Sequence, residues 1–75
     1  MNKYNIIHRK GKKVTTRTVA QKLVATDTAY NLVNQHRGTA TVTPASGVMT
    51  WGILRGVRSI TFAWTGHNIV STTIP

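Results

Sequence analysis

Between two stretches rich in strand-forming residues the chain reads Arg9-Lys10-Gly11-Lys12-Lys13. Gly11 can enter a tight turn at positive φ, where a side chain would be penalised. The flanking runs, Lys3 to His8 and Val14 to Thr18, carry Tyr, Ile, Val and Thr at a density that suits strands. The pattern predicts an N-terminal β-hairpin with four cations around its tip. On the first strand Tyr4 and Ile6 share one face and Ile7 takes the other.

From Val19 to Thr26 the sequence reads as a continuation of the second strand. A helix is the alternative, because Val19 and Leu23 lie four apart. Joined to Thr26–Val33, that alternative resembles a helix-turn-helix. Val24 stands where such a turn usually has glycine, and Arg37 is the only basic residue of the would-be recognition helix. The long strand is therefore preferred.

Asp27 to Arg37 is the predicted helix. Ala29, Leu32, Val33 and His36 follow i, i+3, i+4, i+7 and give one mostly apolar face. Thr26 or Asp27 suits the N-cap, with Asp27 at the positive end of the helix dipole. His36 and Arg37 fall in the last turn, and Gly38 suits the left-handed position that ends many helices.

Thr39 to Thr43 alternates Thr outward with Ala40 and Val42 inward, as an edge strand. Pro44-Ala45-Ser46-Gly47 reads as a turn. The remainder predicts a three-stranded antiparallel meander of 48–54, 57–64 and 67–73, turning at Arg55-Gly56 and Thr65-Gly66. That register puts Trp51 opposite Ile60, Met49 opposite Phe62 and Phe62 opposite Ile69. Met49, Trp51, Ile53, Ile60, Phe62, Trp64 and Ile69 then share one face, and a one-residue slip would split the set. The fold class expected is α+β in a single domain, 1–75: a basic hairpin, and one helix packed on an antiparallel sheet ending in the meander.

The chain has ten Lys and Arg, and Asp27 is its only acid, for a formal net charge of +9. Such imbalance attracts polyanions. Seven of the cations lie in the first 22 residues, while residues 38 to 75 hold only Arg55 and Arg58. The expected binding residues are Arg9, Lys10, Lys12, Lys13, Arg17, Lys22, Arg55 and Arg58, forming one positive surface if the Arg55 end of the sheet adjoins the hairpin tip. Long cationic side chains suit phosphate contact without base reading. Engaging ~5–7 phosphates on duplex DNA would give a log–log salt slope of about −4.5 to −6. Tyr4 could stack a base, and Trp51, Phe62 and Trp64 could form a stacking platform. A core role is preferred for all four, because a domain this size has little apolar surface to spare.

Chemistry has few carriers here. The absence of cysteine removes disulfide and thiolate chemistry, and fits a reducing, cytoplasmic compartment. A lone Asp27 excludes paired-carboxylate catalysis. His8, His36 and His67 lack close metal-ligand spacing. Their ordinary readings are a strand-end surface residue, a helix C-terminal cation and a hairpin-turn residue. The expectation is a non-enzyme without metal or cofactor. No apolar run approaches the ~20 residues of a membrane-spanning helix, so no membrane partner is expected.

The leading functional expectation is a small basic nucleic-acid-binding accessory protein. A second is a regulator or inhibitor docking on an acidic surface of a larger protein, in the style of viral or phage regulators. A third is an assembly component, with Ile69 to Pro75 as an open edge for a second copy.

Overall fold

The computed structural model describes residues 3–45, 47 and 55–74. Strands β1 (Tyr4–Lys10) and β2 (Lys13–Val19) are followed by helix α1 (Lys22–His36) and strand β3 (Thr39–Pro44). Strands β4 (Ser59–Trp64) and β5 (Ile69–Ile74) complete the chain. The strands form one antiparallel sheet in the order β2-β1-β3-β4-β5, with α1 on one face.

The hairpin forms as the sequence implies. Gly11-Lys12 is a two-residue loop between the paired Lys10 and Lys13. Gly11 has φ +60, and Lys12 is not among the residues with positive φ. That is the pattern of a type II′ turn, which needs glycine first.

Alternation along β1 sends Tyr4, Ile6 and His8 inward, all buried. Their β3 partners on the same face, Pro44, Val42 and Ala40, are buried as well. Ala25, Ala29, Leu32 and Val33 meet them from α1, at i, i+4, i+7 and i+8. The core thus lies over the two central strands. Ile6, Val33 and Val42 are its largest fully enclosed side chains, each worth about 1.5–3 kcal/mol of burial. Val19, Val57, Phe62, Trp64 and Ile69 pack around its margin.

Three expectations are corrected. First, β2 continues only to Val19 and α1 begins at Lys22, so Val19–Thr26 is neither a long strand nor the first half of a helix-turn-helix. Gln21 is the N-cap without a side-chain bond, and Asp27 is an exposed mid-helix residue rather than a cap. Thr26 sends its hydroxyl back to the carbonyls of Leu23 (3.1 Å) and Lys22 (3.4 Å), as a threonine inside a helix does.

Second, β3 is the middle strand of the sheet and not an edge. The places beside Ile60 and Phe62 that the sequence assigned to Trp51 and Met49 belong to Val42 and Ala40. The closing meander is therefore β3-β4-β5, and residues 48–54 lie outside the described residues.

Third, β4 and β5 join through the four residues Thr65–Asn68, pairing Trp64 with Ile69 and Phe62 with Ser71. The Thr65 hydroxyl accepts the Asn68 and His67 amides and donates to the Asn68 side chain at 2.8 Å. That turn takes two more residues than expected. The register moves by two, so every side chain keeps its face. Pro44–Gly47 does form a turn, closed by the Gly47 amide on the Pro44 carbonyl at 3.0 Å.

Candidate functional site: a cationic furrow between the helix and the outer strand

Because side chains alternate along a strand, the cations of the hairpin divide between faces. Lys10 shares the inward face with His8, and Lys13 and Arg17 share the inward face of β2 with Thr15. Arg9 points to the opposite face, and Lys12 occupies the turn. On a strand beside the helix these inward positions would normally be apolar. Here Val19 is the one apolar residue among the four inward positions of β2.

The consequence is an unfilled furrow between β2 and α1. One depression of about 270 Å³ is walled by Lys10, Lys13, Thr15 and Arg17 from the strands, and by Leu32 and His36 from the helix, with His8 also in its lining. A second of about 230 Å³ adjoins it, sharing Arg17, Leu32 and His36 and adding Thr28, Asn31 and Gln35. These helical residues recur at three- and four-residue intervals, so they form one stripe beside the buried one.

Lys10 and Lys13 are direct cross-strand partners. Like charges in that position are destabilising, by roughly 0.2–1 kcal/mol. The only side-chain carboxylate of the chain, Asp27, is not among the furrow's lining residues. α1 runs toward the hairpin tip, so its negative dipole end lies near these cations and His36 sits in its last turn.

His8 is corrected from surface residue to buried one, with 7% of its surface exposed. Its Nε2–H donates to the Arg37 carbonyl at 2.8 Å. Its ring lies 6.1 Å from that of His36, centroid to centroid. His36 is the exposed last residue of the helix, and His67 is exposed in the β4–β5 turn, both as expected. Among the described residues no three His, Cys, Asp or Glu side chains gather as a metal site.

The Arg37–Gly38 junction follows His36 directly, where α1 ends. Arg37 has φ 65 and ψ −165, a region that costs a non-glycine residue of order 1–3 kcal/mol. Four contacts hold it there. Its amide donates to the Val33 carbonyl (2.8 Å), and its carbonyl accepts from His8. Its guanidinium donates to the Asn34 carbonyl (2.7 Å) and lies 3.7 Å from the Trp64 ring centroid. Gly38 follows at φ +80, as the sequence implied, and a Cβ there would overlap the Arg9 carbonyl oxygen.

Of the eight expected binding residues, all are exposed, but they do not form one surface. Lys10, Lys13 and Arg17 converge on the furrow, with Arg9 and Lys12 beside it at the tip. Lys22 opens α1 at the other end of the sheet. Arg58 is at that far end too, just before β4, where its amide donates to the Ile74 carbonyl at 2.6 Å, and Arg55 precedes it by three residues. Arg58 is separated from the tip by the length of a seven-residue strand, about 20 Å. The Arg58 end of β4 therefore does not adjoin the hairpin tip, and the expected single positive surface is corrected.

Sequence reasoning missed His8, His36, Asn31 and Gln35 as neighbours of these cations. Alternation from Gly11 could have placed His8 with Lys10. The helical partners required the helix's position over β1 and β3.

No helix among the described residues is long and apolar enough to cross a membrane. A scan against protein-family models gives no match, and neither do searches of curated proteins and of solved structures.

Proposed function

We propose that the protein binds nucleic acid through the β1–β2 hairpin, chiefly by phosphate contact. The observation that carries this reading is the placement of Lys10, Lys13 and Arg17 on one side of the ribbon, including a like-charged cross-strand pair, with no carboxylate lining that side. Such an arrangement spends stability on positive potential, and a polyanion returns it. Arg9 and Lys12 extend the contact around the tip.

Five cations at this end set the scale. If Arg9, Lys10, Lys12, Lys13 and Arg17 each neutralise one phosphate, the log–log salt slope on duplex DNA is about −4.5. The test is fluorescence anisotropy with duplex DNA, single-stranded DNA and duplex RNA across a salt series. Lys10→Ser/Lys12→Ser/Lys13→Ser should flatten the slope by about 2.7 units. Arg55→Ser/Arg58→Ser, at the far end, should leave it unchanged. Weak binding at ~0.15 M salt, where exposed charges are screened beyond about 8 Å, would sink the reading.

One observation favours a second reading, self-assembly. β5 is an edge strand with no charged residue, and it exposes Val70 and Ile74. Uncharged edges invite strand pairing. Light scattering that reports a monomer at every concentration would exclude it.

A further inference from the structure

Resting on that reading, we infer that the furrow seats a single unpaired nucleotide, phosphate on the strand wall and base against α1. The two depressions adjoin, and each offers different chemistry. The strand wall presents Lys10, Lys13 and Arg17, ammonium and guanidinium groups that donate to phosphate oxygens. The helix wall presents His36 and the amides of Asn31 and Gln35. Each amide carries both donor and acceptor, as reading the edge of a base requires. Leu32, the apolar residue of the lining, and Arg17 border both depressions.

The pairing of these two walls is what assigns the ligand class. A bare anion would use the cationic wall and leave the amide stripe idle. The negative end of α1 disfavours an anion against the helix, so the phosphate belongs on the strand wall. A duplex keeps its base edges paired and stacked, so they are not free to meet the amides of Asn31 and Gln35. Together the depressions are on the scale of pockets that hold small ligands, roughly 300–1,000 Å³. The nucleotide can be free or part of a single strand, since both bring the same phosphate and base.

The test uses four probes on the full chain: inorganic phosphate, adenosine 5′-monophosphate, an eight-nucleotide single strand, and its duplex. Affinities come from anisotropy or calorimetry, and NMR follows the side-chain amides of Asn31 and Gln35. Both residues are exposed on the helix, so Asn31→Ala/Gln35→Ala should keep the fold. The wild type should bind the single strand at least tenfold more tightly than the duplex. The double variant should lose that preference while retaining duplex affinity and salt slope. The amide signals should move with the monophosphate and with the single strand, but not with inorganic phosphate. Mononucleotide binding without single-strand preference would assign the furrow to a free nucleotide. Unmoved amide signals, with unchanged affinities in the variant, would overturn the furrow assignment while leaving backbone binding standing. Failure of both nucleic acids to bind would overturn both.

Discussion

The two flanks of α1 are built from opposite materials. Toward β4 the gap beside the helix is filled by rings. Tyr30 meets Phe62 edge-to-face at 6.1 Å, and Trp64 carries the Arg37 guanidinium on its face. Toward β2 the equivalent gap is lined by Lys13, Thr15 and Arg17 and stays open. The inward residues of β4 are Ile60, Phe62 and Trp64, whereas β2 offers one valine among four. An inward position is therefore not a core position by geometry alone. Long cations keep their charged heads in water and leave space that an aromatic ring would fill.

Arg37 joins the flanks, holding His8 with its carbonyl and Trp64 with its side chain. Breaking the junction beside it should produce the largest effect. Gly38→Ala combines positive φ with backbone overlap, and should cost more than the ~1 kcal/mol of φ alone, about 3 kcal/mol or more. Thermal melting checks this, and a melting point within a few degrees of wild type would contradict it.

The flanks should then respond differently to truncation. Phe62→Ala removes a half-buried ring and its partner contact, at about 2–3 kcal/mol. Arg17→Ala, on the open flank, should change stability by no more than ~0.5 kcal/mol while weakening single-strand binding. Urea denaturation of the two variants measures the contrast directly. Equal losses would mean that the furrow is packed in solution.

A charge reversal sharpens the same point. Lys13→Glu converts the repulsive pair with Lys10 into an attractive one, and should raise stability by about 0.5–1 kcal/mol. It should lower nucleic-acid affinity at the same time. A variant that loses both would show that the pair was not opposed to begin with.

The smallest effect expected concerns Arg37 itself. Arg37→Gly forfeits the guanidinium's contacts with Trp64 and the Asn34 carbonyl, about 1–2 kcal/mol together, but relieves the backbone. Arg37→Ala forfeits the contacts and keeps the strain. Glycine should therefore be the better tolerated by about 1 kcal/mol in paired denaturation curves.

Much of this was legible in the residues. Gly11 fixed the hairpin and its register, and period-two alternation placed Tyr4, Ile6, Ala40 and Val42 inward. Gly38 marked the end of the helix. The start of the helix was not legible, because Leu23 and Val24 are exposed on it and obscure the stripe that Ala25 begins. The central place of β3 was hidden for another reason. Its partners on β1 lie thirty to forty residues upstream, from Arg9 with Thr39 to Tyr4 with Pro44, and no local pattern encodes a pairing at that distance. The furrow depended on both, so only its strand wall could be read.

The ladder between β1 and β3 is also the line where the two halves of the chain meet. Within the sheet β1 and β2 belong to the first half of the sequence, and β3, β4 and β5 to the second. The outer pairs close over loops of two and four residues, whereas Arg9 must find Thr39 and Tyr4 must find Pro44. Loop closure of that length is slower and costs more entropy than a tight turn. During synthesis the N-terminal portion emerges first. The cationic hairpin and its helix are thus made before Thr39–Pro44, and the inner edge of β1 waits, unpaired, for a strand the ribosome has yet to release.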